Sequence, residues 1–122
     1  MTARRAAAAV AWLVVAAAAA AAAAAAQEPV DLGALAQCVS DSGALFYGAH
    51  WCPYCRQQKE YFEGNAGALP YVECYDGPRS KGMNAACRNA GVRSFPTWVF
   101  ADGSVKTGLR SPSQLAADAG CD

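Results

Sequence analysis

The sequence predicts a small α/β domain with a mixed sheet, in the element order β-α-β-α-β-β-α, preceded by one extra helix. Three observations predict it. The apolar runs "ALFYGA" (44–49) and "LPYVECYD" (69–76) have strand length, and helix-forming stretches follow each of them. Near the end, "TWVF", "ADGS" and "VKTGL" succeed one another as strand, turn and strand, with Asp102–Gly103 as the turn signal. A right-handed parallel crossover feeding an antiparallel hairpin gives a mixed sheet with helices on both faces.

The first 26 residues are set apart from this domain. They carry Arg4 and Arg5, an apolar centre at Trp12–Val15 and then alanines, ending before Gln27. A positive start, an apolar middle and small residues before a polar boundary predict a secretory signal over 1–26, with the domain occupying 27–122. The alternative is a retained anchor, which weakly apolar alanine does not favour. Alanine also inflates the 54% hydrophobic content. Without residues 1–26 the chain keeps eight basic residues against ten acidic ones, a formal charge of −2. No basic footprint for nucleic acid remains.

Each element of the domain has a local reason. Val30, Leu35 and Val39 share a stripe that predicts a helix over 30–39. Pro53 suits a first helical turn, "YCRQQKEYFE" continues the helix, and Gly64 and Asn65 supply its end. "GMNAACRNAGV" reads as a short helix closed by Gly91. Ser111 caps and Pro112 opens a last helix, "PSQLAADAG".

All six cysteines (38, 52, 55, 74, 87 and 121) follow the leader, and an even count in a small exported domain predicts disulfides. Cys52 and Cys55, in "HWCPYC", fall where the first strand ends and its helix begins. Open α/β sheets place their chemistry at that end. A disulfide across so short a loop removes little chain entropy, which argues against a staple. A zinc site normally needs four ligands, and His50 is the one histidine in the chain, which argues against a metal. A working dithiol explains the pair better. Cys52 at the helix N-cap meets free N–H groups and the positive end of the dipole, which favour a thiolate nucleophile. Cys55, one turn deeper, is the resolving thiol. Pro96 in "SFPTW" stands just before a strand. A cis Phe95–Pro96 bond would turn the backbone of residue 95 toward the Cys52 sulfur and an extended substrate; an ordinary trans proline is the alternative. Trp51 and Phe95 are candidates for an apolar substrate-binding rim, or for core packing. His50 is a candidate to tune Cys52, or an ordinary surface residue.

"WCPYC" followed by "SFPTW" resembles the thioredoxin superfamily over nearly all of residues 43–119. More narrowly, "FYGAHWCPYCRQQKEYF", "LPYVEC" and "GVRSFPTWVF" are similar to the thioredoxin-like domain fused to, or partnering, bacterial and plant vitamin K epoxide reductase homologues. The resemblance implies a thioredoxin-like fold, with Cys52 attacking, Cys55 resolving and Pro96 as the cis-proline. It also implies a second cysteine pair, matched by Cys74 and Cys87, as a structural bridge or a redox relay. With 52 and 55 set aside the other four cysteines allow three pairings, of which Cys74–Cys87 and Cys38–Cys121 are favoured. Two departures stand out. Tyr54 occupies the place of a histidine in strongly oxidising relatives and cannot lend Cys52 a positive charge. Phe46 occupies the place of a buried aspartate in thioredoxins, so that proton acceptor for Cys55 is missing.

The resulting expectation is an exported thiol–disulfide oxidoreductase acting in a periplasm or thylakoid lumen as a monomer without a bound cofactor. It would form or relay disulfides in cysteine-containing substrate proteins, and a quinone-linked membrane partner of the vitamin K epoxide reductase type would reoxidise it. The competing readings are a reductase or isomerase with a different membrane donor, and a non-catalytic module holding a soft metal.

Overall fold

The computed structural model describes residues 29–121, so the leader expected over 1–26 lies outside the described residues. The chain from Asp31 onward forms one unit. It begins with helix α1 (Leu32–Asp41) and strand β1 (Leu45–Gly48), followed by α2 (Pro53–Glu60) and a 3-10 segment (Glu63–Ala68). Strand β2 (Tyr71–Glu73), a 3-10 turn (Arg79–Lys81) and α3 (Ala85–Asn89) come next, then β3 (Thr97–Val99), β4 (Val105–Thr107) and α4 (Pro112–Ala119). The strands lie in the order β2-β1-β3-β4. β1 runs parallel to β2 and antiparallel to β3, and β3 runs antiparallel to β4. This is the mixed α/β sheet expected from the element order.

Local chemistry accounts for the helix ends. Asp31 caps α1 by accepting from Ala34 N at 3.0 Å, so Val30 precedes the helix it was expected to join. Ser111 and Gln114 form a reciprocal capping box on α4, with Pro112 in the first turn and Gly120 in the left-handed conformation at its end. The end of α2 differs from expectation. The helix stops at Glu60, and a 3-10 segment spans Gly64 and Asn65. Between the two lies Phe62, fully buried, whose side chain draws the chain into the core before the helix can continue.

Alternation along the strands divides the interior in two. On one face Phe46 stacks on Trp98, their ring centroids 4.7 Å apart, among Leu35, Ala36 and Val39 of α1, Cys55 of α2 and Leu115 of α4. On the other face Tyr47, Cys74, Cys87 of α3 and Val92 make a second, smaller cluster. Gln58 of α2 is wholly buried and fully engaged. Its Oε1 accepts from Trp98 Nε1 at 3.3 Å and Arg110 N at 2.9 Å, while Nε2 donates to Arg110 O at 2.9 Å. One amide thereby ties α2 to the central sheet and to the segment entering α4.

The structure joins Cys38 to Cys121, 83 residues apart, and Cys74 to Cys87, 13 residues apart. Cys52 and Cys55 are free thiols.

Candidate active site

Strand β1 ends at Gly48, and the next turn delivers Cys52 to the N-cap of α2. There Cys55 N donates to Cys52 Sγ at 3.2 Å, as a capping side chain should receive it. Pro53 at the first helical position has no N–H to leave unpaired, and its fixed φ starts the helix. Phe95 and Pro96, joined by a cis peptide bond, bring the Phe95 carbonyl within 3.8 Å of Cys52 Sγ. Residues 52, 55, 95 and 96 therefore meet at one place. The pair Cys74–Cys87 does not join them, because it is sealed in the cluster on the opposite face of the sheet.

Cys52 is more recessed than an open nucleophile would be, with 3% of its surface exposed against 1% for Cys55. The reason is an apolar rim. Trp51, Tyr75 and Phe95 meet edge to face with centroid separations of 5.2, 5.7 and 5.8 Å. Arg79 lies over the Trp51 ring at 3.8 Å. Trp51 Nε1 is buried and has no hydrogen-bond partner among the described residues. Tyr75 and Arg79 were not singled out from the sequence, since both arrive from the loop after β2 and nothing local marks them. On the other side of Phe95, a cleft of ≈ 350 Å³ is lined by Tyr54, Ser94, Phe95, Thr107, Gly108 and Leu109.

The two sulfurs are chemically unequal. Burial pushes the Cys55 thiol up from 9.0 to about 12, helped by its hydrogen bond with Cys52, while the Ala49 backbone and the Lys59 charge pull the other way. Cys55 is thus a protonated thiol at neutral pH. Cys52 instead sits at the N-cap of α2, where its sulfur accepts the Cys55 N–H and lies 3.8 Å from the Phe95 carbonyl. The two free thiols therefore lie one helical turn apart, within reach of a shared disulfide.

His50 turns toward the loop after β2. Its exposed ring donates from Nε2 to the Gly77 carbonyl at 2.9 Å. Its backbone N–H matters more to the site. It donates to Glu73 Oε2 at 3.1 Å, an oxygen that also accepts from Tyr75 N at 3.1 Å, while Glu73 Oε1 accepts from Tyr71 Oη at 3.0 Å. One carboxylate thus pins the turn before Cys52 to the end of β2. Among the described residues no group of three or more His, Cys, Asp or Glu side chains converges on a point where a metal ion could bind. No helix among them is long and apolar enough to cross a membrane.

A stretch of 72 residues is 43% identical to Thiol-disulfide oxidoreductase LTO1 of Arabidopsis thaliana. The likeness is to a thiol–disulfide oxidoreductase. It takes in 57% of this chain and 19% of that protein, so the chain spans under a fifth of the relative's length. No protein-family model matches the chain. Among solved structures, the thioredoxin of Malassezia sympodialis overlaps 63% of this chain and 70% of its own, at 21% identity and a TM-score of 0.42.

Proposed function

We propose that the chain is an exported thiol–disulfide oxidoreductase that forms or relays disulfides in substrate proteins through Cys52 and Cys55. The observation that carries this reading is the meeting of two free thiols one helical turn apart, Cys52 at the N-cap receiving the Cys55 N–H at 3.2 Å, beside the carbonyl before a cis-proline. The name of the Arabidopsis relative supports the same chemistry.

In the oxidising direction a substrate thiolate attacks the Cys52 sulfur of the Cys52–Cys55 disulfide. The Cys52–Cys55 bond breaks and Cys55 leaves, taking up a proton. A second substrate thiol, once deprotonated, attacks its own sulfur in the mixed disulfide and releases Cys52. Two electrons and two protons have then moved from substrate to the dithiol. A quinone-linked membrane partner of the vitamin K epoxide reductase type removes them, and no cofactor bound to this chain takes part. Trp51 and Phe95 form the apolar margin against which a flexible substrate segment lies. The resemblance of residues 46–62, 69–74 and 91–100 to such partnered domains supports the choice of partner. The leader supports export to a periplasm or thylakoid lumen, either cleaved or retained as an anchor.

The test is catalysed oxidation of a reduced, unfolded protein by the chain plus a small disulfide oxidant. The wild type should accelerate disulfide formation, Cys52→Ser should not, and Cys55→Ser should accumulate a mixed disulfide at Cys52. Stoichiometric copper or zinc on the purified protein with no turnover would instead favour the metal-binding reading.

A further inference from the structure

Cys55 must shed its proton to resolve a mixed disulfide, yet it lies in an apolar core. The neighbouring strand position holds Phe46, buried between Tyr71 at 5.0 Å and Trp98 at 4.7 Å, and carries no charge. The titratable groups facing Cys55 are Cys52 from its own turn, Lys59 from α2, and Tyr71 from β2, to which Glu73 is bonded. Lys59 is four residues on from Cys55, on the same side of the helix. It is half-buried, and among the described residues no carboxylate pairs with it. Its ammonium instead sits 3.6 Å over the Tyr71 ring.

That ring is fixed from three sides. Its hydroxyl donates to Glu73 Oε1 at 3.0 Å, its edge meets Phe46, and it lies across the backbone of Gly48, where a Cβ would come within 2.5 Å of Cε2. Glu73 is itself held by two backbone amides, those of His50 and Tyr75. A carboxylate, a phenol ring and an ammonium therefore form a chain that ends on the residue one helical turn after Cys55.

We propose that Lys59 supplies the positive charge that steadies Cys55 as it gives up its proton, and that Tyr71 and Glu73 are positioning residues that hold this charge in place. The inference rests on the dithiol reading above. In the step concerned, Cys55 releases its proton to water and its sulfur attacks Cys52 in the mixed disulfide. The bond between Cys52 and the substrate breaks, and the substrate sulfur leaves and is protonated from water. Lys59 stays protonated throughout.

The experiment is a stopped-flow measurement on the full chain, following first the attack of Cys52 on a small disulfide and then the release of its thiol as Cys55 resolves. Lys59→Met should leave the attack step unchanged and slow resolution at neutral pH about threefold, the equivalent of about half a pKa unit. The pH–rate profile of resolution, followed at neutral to mildly alkaline pH, should be displaced upward in pH by the same amount, and Lys59→Arg should restore it. Tyr71→Phe, which keeps the ring but frees it from Glu73, should displace it part of the way. An undisplaced profile in Lys59→Met, with resolution still occurring, overturns this inference and leaves the dithiol reading intact. Failure of the wild type to resolve any mixed disulfide overturns both.

Discussion

Cys55 donates its backbone N–H to the sulfur of Cys52 across 3.2 Å, while its own sulfur remains a buried thiol. A single helical turn thereby holds two buried thiols side by side, one of them also capping the helix.

That burial has a consequence for stability against pH. Burial raises the folded-state value for Cys55 to about 12 from its ordinary 9.0, so the folded chain keeps a proton that the unfolded chain loses. Stability is then fully present below pH 9 and falls as pH rises toward 12, with a slope of up to about 1.4 kcal/mol per unit. Tyr71, also pushed up by burial and by Glu73, acts in the same direction above pH 10. Denaturant unfolding of the reduced CxxC protein at pH 8 and 10.5 should show the loss, and Cys55→Ala should reduce the slope.

The two disulfides should not contribute equally. Cys38–Cys121 closes 83 residues and Cys74–Cys87 closes 13. The chain-entropy model gives about 4.5 kcal/mol for the first and about 3 kcal/mol for the second. Paired alanine replacements, compared by chemical denaturation, should follow that order. Cys74 and Cys87 have no exposed surface, whereas Cys38 is exposed. Mild reduction of the folded protein should therefore open the 38–121 bridge first, as mass mapping of alkylated peptides would show. Early loss of 74–87 would instead favour a relay role for that pair.

Gly48 is required by a neighbour rather than by its own backbone. A methyl group there would meet the Tyr71 ring, which Glu73 and Phe46 prevent from retreating. Gly48→Ala should cost about 1–3 kcal/mol by overpacking. Adding Tyr71→Ala should relieve the clash, so that the double variant is more stable than the two single losses would sum to.

Gln58 should be costly to replace with an apolar residue of similar size. In Gln58→Leu the Trp98 indole N–H and both Arg110 backbone groups lose their partners inside the protein. At about 1–3 kcal/mol for each buried group left unpaired, the thermal midpoint should drop sharply, as calorimetry would show.

Much of the fold was legible because its signals are local. Pro53, Ser111 with Gln114, and Asp102–Gly103 act through their own neighbours in the chain, so helix starts and the hairpin turn could be read residue by residue. The cysteine spacing in "HWCPYC" likewise placed two sulfurs one helical turn apart before any contact was known. Even the end of α2 misled only because Phe62, apolar and unremarkable in sequence, is claimed by the core.

The sequence by itself determined the order of elements, the dithiol and its place at a strand end, since backbone propensity and near-neighbour spacing act over a few residues. Only the tertiary structure decided which distant groups surround those sulfurs. It turned His50 toward Gly77, brought Tyr75 and Arg79 to Trp51, and set Glu73 beneath the turn before Cys52. Those meetings follow from sheet register, in which Phe46 lies beside Tyr71 and Gly48 beside Glu73. Register is fixed by which faces can be buried together, and no short stretch of chain carries that information.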